Sequence, residues 1–447
     1  MEMLVSCRET DATCTIQQAI DACFLQGGGE VQIPEGKYSV TSLRLRSNVC
    51  LHLLENAQLI ASRNCEDYEK FLEDTLEPVP EHDKSDADVW KGPPYEPDYE
   101  FFNKPGSRWN RGVIKALDAE NISIIGEKGS VINGRDCYDA LGEEGYRGPH
   151  AINLWRCKNI TLSGYTVQNS ANWAHAIFES NGINVDGITV VAGHDGIHMT
   201  ACDNIRIANS TFETGDDCVA GIDNENVYVG SCLMNSSCSA LRFGGRNVLI
   251  ENCRMEGPGK YFFRGSLSEE EKKNGILAES KEGQHRNNML TAFLYHADHS
   301  RAIRGNSGKI VIQNCVFKNV DRFMEYNFSG SNIWQMNAPL TDVTFENITA
   351  EGIKIPLVLY GDKDNKVSLT MKNIDVSFSD EAKDSFIQLC HFDSVLLDSV
   401  TVKNLKVPVL IRKWSDDGKI VTENFVCEGF NGEMEAMADE PFVCQWI

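Results

Sequence analysis

Three aspartates in a repeating chain carry the groups needed to hydrolyse an acetal. Asp195 lies in His194-Asp195-Gly196, and Asp216 and Asp217 lie in Gly215-Asp216-Asp217-Cys218-Val219-Ala220, 21 and 22 residues further on. Cleaving a glycosidic bond requires a proton for the leaving oxygen and a deprotonated group to activate water. Negative charge must also sit near an oxocarbenium-like transition state. Clustered carboxylates meet these needs, because their mutual repulsion leaves one protonated beside ionised neighbours at neutral pH. An aspartate before a glycine is also a common corner pattern. It is the shared spacing of single and doublet that favours chemistry over a plain turn.

That spacing is the period of the surrounding chain. Short β-branched runs open at Asn159-Ile160, Gly182-Ile183, Asn204-Ile205, Asn226-Val227 and Asn247-Val248, with steps of 23, 22, 22 and 21 residues. Asn121-Ile122 precedes them, and weaker copies begin at Lys309, Asp342 and Val367. A fixed period of this length signals a solenoid, and alternating apolar residues within each unit signal strands. A leucine-rich repeat would need a leucine lattice that is absent. The all-β alternative is a parallel β-helix, whose neighbouring turns stack about 4.8 Å apart. One turn of such a coil would bring Asp195 alongside the doublet. Corner asparagines Asn209, Asn252, Asn314 and Asn347 are candidates for a hydrogen-bonded ladder. Ile16, Ala19, Ile20, Cys23 and Phe24 fall at helical spacing before Gly27-Gly28-Gly29, which predicts a short helix capping the N-terminal end. No Lys-Ser/Thr follows those glycines, so they are not a phosphate loop.

Residues 1–447 are expected to form one domain with loop insertions near 66–112 and 257–300. Insertions in a solenoid gather on one face, often the binding face. Trp109 and Tyr295, in or beside them, are therefore candidates for stacking on sugar rings. His194 and His198 flank Asp195 and are candidates to contact sugar hydroxyls or to tune a carboxylate, whereas His175 is expected to pack.

The bulk composition narrows the partners. A formal charge of −23 argues against nucleic acid and anionic membrane surfaces. Sixteen cysteines are scattered without a CxxC or zinc-like spacing, so buried thiols are expected, with neither metal nor cofactor. Met1–Arg8 lacks the basic-then-apolar pattern of a signal peptide. The expected location is cytoplasmic, or secreted if a leader has been removed.

Several of these motifs together resemble glycoside hydrolase family 28, the polygalacturonase-like enzymes of pectin degradation, over about residues 13–350. The stretch from Ile16 to about Leu53 is similar to the family's cap and first turns. Asn169-Ser170-Ala171-Asn172-Trp173 is similar to its NSPxW segment, His194-Asp195-Gly196-Ile197 to half of its NTDG motif, and Gly215–Ala220 to its GDDC motif. The resemblance implies a single-stranded right-handed parallel β-helix with an N-terminal capping helix. It also implies an inverting hydrolase with Asp216 as general acid and Asp195 and Asp217 activating water. Two motifs depart from the pattern. Ser237-Cys238-Ser239 replaces Gly-His-Gly, which puts Cys238 in the histidine's place, and Arg301-Ala302-Ile303-Arg304 is the nearest text to the carboxylate-binding Arg-Ile-Lys. Arg242, Arg301 and Arg304 are the candidate cations. The expected substrate is a galacturonate- or rhamnogalacturonan-related saccharide attacked in exo fashion. A β-helix lyase or epimerase and a non-catalytic carbohydrate-binding solenoid are the rivals. The sugar, its linkage and the oligomeric state are left open.

Overall fold

A computed structural model describes residues 2–4, 11–68, 108–142, 146–261, 289–297, 303–329 and 338–438. They form two compact units. One takes the described residues up to Asp216 together with Tyr261; the other takes Asp217–Lys260 and the described residues from Met289 onward. Most of insertion 66–112 and much of insertion 257–300 lie outside the described residues.

In the first unit each full turn carries three short parallel strands. His150–Trp155, Lys158–Ser163 and Thr166–Gln168 make one turn; His175–Phe178, Asn181–Asp186 and Thr189–Ala192 make the next; Ile197–Thr200, Asp203–Ala208 and Thr211–Thr214 make a third. The registers are strict: Ile160 pairs with Ile183 and Ile183 with Ile205, while Val167 pairs with Val190 and Val190 with Phe212. All of these side chains are buried. Each contributes about 1.5–3 kcal/mol through burial. A slip of one residue would turn every one of them outward. This is the parallel β-helix expected from the period.

Corners between strands need backbone with positive φ, and asparagine tolerates it. Asn121, Asn159 and Asn204 have φ of 55°, 55° and 57°. Their side-chain amides donate to the turn before: Asn121 to Asn48 at 2.8 Å, Asn159 to Asn121 at 2.9 Å and Asn204 to Asn181 at 3.1 Å. In the first unit the ladder therefore runs through the residues that open each apolar run. The predicted ladder holds further on, where Asn347 donates to Asn314 and Asn373 to Asn347. Asn209 departs from it and reaches Asp186 instead.

The helix Thr13–Leu25 buries Ile16, Ile20 and Cys23 and caps the first strands. Gln17 accepts from the backbone N–H of Arg44, and Arg46 donates to Asp21, which ties the cap to the coil. The chain then leaves through Gly28 at φ 108°, where a Cβ would lie 2.4 Å from the Asn48 carbonyl oxygen. The two ends of the first insertion are clamped together. Glu66 binds Arg108 at 2.6 Å and Arg111 at 3.1 Å, and Arg108 also pairs with Asp139.

The second unit has the same coil pattern. Val227, Val248, Ile310, Val343, Leu369, Val395 and Ile420 pair in sequence, one per turn. Later turns are longer, and their strands fuse into the arcs Asp342–Ile353, Val367–Phe378 and Phe392–Lys403. Cys157 and Cys202 in the first unit, and Cys218, Cys232, Cys253 and Cys315 in the second, are buried in line with the expectation for core thiols. Among the described residues no helix is long and apolar enough to cross a membrane.

Candidate active site

In the first unit, Asp195 and Asp216 sit on corners of consecutive turns. Ala192 pairs with Thr214 in the last strand of each turn, and the Gly215 N–H donates to the Ala192 carbonyl at 2.8 Å. Three residues after Ala192 comes Asp195, and two after Thr214 comes Asp216. The preceding corner stacks in the same way, because the Ala174 N–H donates to the Asp195 carbonyl at 2.8 Å. Strand ends on a rigid coil thus hold the two carboxyls in fixed register.

Their surroundings differ. Asp195 is buried, and its Oδ2 lies 2.8 Å from Nδ1 of His198. The His198 ring stacks face to face on Trp173, with centroids 3.6 Å apart and planes 3° apart. That stack fixes the imidazole, and the imidazole fixes the carboxyl. Asp216 is the more exposed of the two, with 15 % of its side chain accessible, and its Oδ2 lies 4.0 Å from Nη2 of Arg147. Nη1 of Arg147 contacts Nδ1 of His194 at 3.2 Å and Oδ1 of Asn172 at 3.4 Å. A guanidinium can only donate, so Nδ1 of His194 accepts and the histidine proton is on Nε2. His194 is wholly buried and stacks on Tyr146. His175 packs as expected: Nδ1 donates to the Gly196 carbonyl at 2.8 Å, the Tyr165 hydroxyl meets Nε2 at 3.0 Å, and burial pushes its pKa down to about 4.

Trp109 corrects its predicted role. It is 3 % exposed, lies on the short turn Arg108–Asn110, and packs edge-on against His150 and Trp173. Its ring serves as a wall of the site, since the Arg147 guanidinium carbon lies 5.7 Å from its centroid. Burial also pushes the pKa of His150 down to about 3.

In the second unit, Asp217 is buried. Its Oδ1 accepts from the Ser239 N–H at 3.1 Å, and its Oδ2 lies 3.9 Å from Nη1 of Arg242. Cys238 is half-buried, with its Sγ within 4.8 Å of an Asp217 carboxyl oxygen. Its backbone N–H donates to Ser236 at 2.7 Å. Asp217, Cys238 and Arg242 thus lie close together.

Tyr295 and Arg304 are not available as proposed. Tyr295 lies in the strand Met289–Tyr295 and pairs with Phe243, so alternation turns it to the face opposite Arg242. It is buried, its hydroxyl donates to the Ser307 hydroxyl and meets the Pro339 carbonyl, and burial raises its pKa. Arg304 is committed to Asp223: Nε and the backbone N–H both meet Oδ2 at 3.0 Å, and Nη2 meets the Asp223 carbonyl at 2.6 Å. Arg301 lies outside the described residues. Arg147, missed in the sequence reading, has no period or motif to mark it. A cation in a corner looks like any solvated surface residue until its aromatic walls are seen.

Residues 103–240 match the model of "Glycosyl hydrolases family 28". That match covers under a third of the chain, which is similar to glycosyl hydrolase family 28 over that stretch. Among relatives, a "Probable polygalacturonase" of Vitis vinifera is 27% identical over 208 residues, covering 44% of this chain and 37% of that protein. An "Exo-poly-alpha-D-galacturonosidase" of Dickeya chrysanthemi is 24% identical over 242 residues, covering 46% and 38%. The matched stretches span less than half the length of these relatives. In fold, the chain is similar to an exopolygalacturonase from Thermotoga maritima, with a TM-score of 0.63, 18% identity, and coverage of 96% of this chain and 92% of that one. It is equally similar to the surface adhesin PfbA of Streptococcus pneumoniae, with a TM-score of 0.62, 15% identity, and coverage of 96% and 100%. The fold therefore does not by itself separate a family 28 enzyme from an adhesin.

Proposed function

We propose that the chain is a polygalacturonase-like hydrolase of pectin-type saccharides, acting from chain ends with inversion at the anomeric carbon. The carrying observation is the stacked pair of corners bearing Asp195 and Asp216, with the second carboxyl of the doublet following at Asp217. Asp216, the more exposed of the first unit's pair, delivers the proton to the leaving oxygen. Asp195, oriented by His198, holds and activates water. Inversion requires roughly 6.5–9.5 Å between acid and base so that water fits between them. Exo action is supported by relatives named as exo-enzymes, the Dickeya chrysanthemi protein and an "Exopolygalacturonase clone GBGE184" of Arabidopsis thaliana. A reducing intracellular setting is in keeping with the thiols: among the described residues the cysteines form no disulfide.

The test is incubation with defined oligogalacturonides and rhamnogalacturonan fragments, with products read by mass and by NMR of the anomeric proton. Monomer release with an inverted anomeric signal is expected, and Asp216→Asn should cut turnover by about a thousandfold, within the range of general-acid catalysis. An unsaturated product absorbing in the ultraviolet would identify a lyase instead.

A further inference from the structure

We propose that Cys65 and Cys137 are a modification site, a thiol pair that closes into an internal disulfide when the protein meets an oxidant of the glutathione disulfide class. The proposal concerns the first unit alone and stands apart from the hydrolase reading.

The coil supplies the first argument. The strands Ala57–Ala61 and Val131–Asn133 pair in register, Gln58 with Val131 and Ile60 with Asn133. Cys65 follows the first of these strands and Cys137 the second. Neighbouring rungs lie about 4.8 Å apart, and a disulfide joins Cα atoms about 4.4–6.8 Å apart. The side chains meet accordingly. Sγ of Cys65 donates to the carbonyl of Tyr138, the residue after Cys137, at 3.3 Å, and the two thiols are in hydrogen-bonding contact.

The second argument is that both backbones are already fixed. Cys65 opens the short turn Cys65–Asp67, which Asn64 caps by accepting from the Glu66 N–H at 3.2 Å. Its carbonyl accepts from Nη1 of Arg111 at 2.8 Å. Across from it, the Asp136 N–H donates to the Asn169 carbonyl at 2.8 Å. Gly148 packs on the Cys137 carbonyl oxygen so closely that a Cβ there would lie 1.8 Å from it. Arg108 straddles the two segments, because it binds Glu66, next to Cys65, and Asp139, two residues after Cys137. A disulfide would make covalent a junction that ion pairs hold, at the foot of the turn Arg108–Asn110 that carries Trp109.

The third argument is access. Cys65 is half-buried and Cys137 is buried. The Cys65 thiolate attacks one sulfur of glutathione disulfide and releases one glutathione. The Cys137 thiolate then attacks Sγ of Cys65 in the mixed disulfide and releases the second, so two protein thiols are oxidised while one disulfide is reduced. Burial, with Asp139 nearby, raises the pKa of Cys65, and burial raises that of Cys137. The exchange is therefore slow at neutral pH and quickens as the pH rises. Cys253 and Cys315 in the second unit make the contrast. The Cys253 N–H meets Sγ of Cys315 at 3.4 Å, but both side chains are buried and offer an oxidant no entry.

The test incubates the full chain with excess glutathione disulfide near the ordinary thiol pKa of about 8.5 until the count of free thiols stops falling. Remaining thiols are then alkylated and the peptides mapped by mass. A peptide linking Cys65 to Cys137 is expected, with a melting temperature about 5 °C above that of the reduced protein. Cys65→Ser and Cys137→Ser should each abolish that gain on oxidation, and Cys315→Ser should keep it. No linked peptide at the plateau, or glutathione left on Cys65 without closure, overturns the proposal. A linked peptide that fails to raise the melting temperature would come from capture of an opened form, and overturns it too. Should Cys137→Ser fail to fold, Cys65→Ser carries the same comparison, and a gain that survives in it overturns the proposal.

Discussion

Asp195 in the first unit and Asp223 in the second, the latter at φ 55° within the strand Val219–Gly230, are both buried carboxyls, yet they are held in opposite ways. Asp223 is surrounded by cations: Arg246 at 2.9 Å, Arg304 at 3.0 Å, and the Arg304 N–H at 3.0 Å. Asp195 is paired with an imidazole whose ring is clamped on a tryptophan. Two full positive charges lock a carboxylate and fasten the chain around it. An imidazole held by a ring stack fixes its direction. Burial alone therefore does not separate the two aspartates; the nature of their partners does.

Substituting each aspartate should separate the two roles. Asp195→Asn is expected to lower turnover on oligogalacturonides by roughly a hundredfold to ten-thousandfold, the range for losing an acid–base group, while the melting temperature barely moves. If turnover survives, Asp195 is as structural as Asp223. Asp223→Asn is expected to do the reverse. It strands Arg246 and Arg304 around a lost charge and should cost about 3–5 kcal/mol in denaturant unfolding, with turnover per folded molecule kept. A stability loss below about 1 kcal/mol would erase the contrast.

A smaller effect sharpens the comparison through pH. Burial holds His175 at about 4 and His150 at about 3, below the ordinary histidine value near 6.5. Between these values the unfolded chain binds protons that the folded chain refuses. Stability is therefore full above about pH 6.5 and falls as the pH drops toward 4 and then 3. Each histidine contributes a slope of up to about 1.4 kcal/mol per pH unit. His175→Gln should flatten the melting-temperature profile between pH 6 and 4.5 relative to wild type. An unchanged slope would mean that His175 takes up its proton in the fold.

Much of this was legible in the sequence because one backbone requirement recurs. Each coil corner needs positive φ, asparagine meets it, and Asn121, Asn159, Asn204, Asn226 and Asn247 spell out the period. The cap helix was equally clear from Ile16, Ile20 and Cys23. Legibility fades where other residues take the corner. His391 at φ 42° and Ser399 at φ 57° serve turns that the asparagine pattern did not reach, and the fused arcs there lengthen the repeat. Trp109 was misread because an aromatic beside an insertion gives no sign of which way its ring turns. Arg147 was missed because its significance comes from Tyr146, Asn172, His194 and Asp216, which reach it only through the stacking of turns.

The pairing of Val248 directly with Ile310 has a consequence for how such a chain can change. Between them the strands Arg254–Glu256 and Met289–Tyr295 supply the rest of the turn and bury Met255, Ala292 and Phe293, so the coil keeps one apolar rung per turn although the length of chain between rungs varies. A change in the amount of chain between those strands can therefore leave the rungs in register.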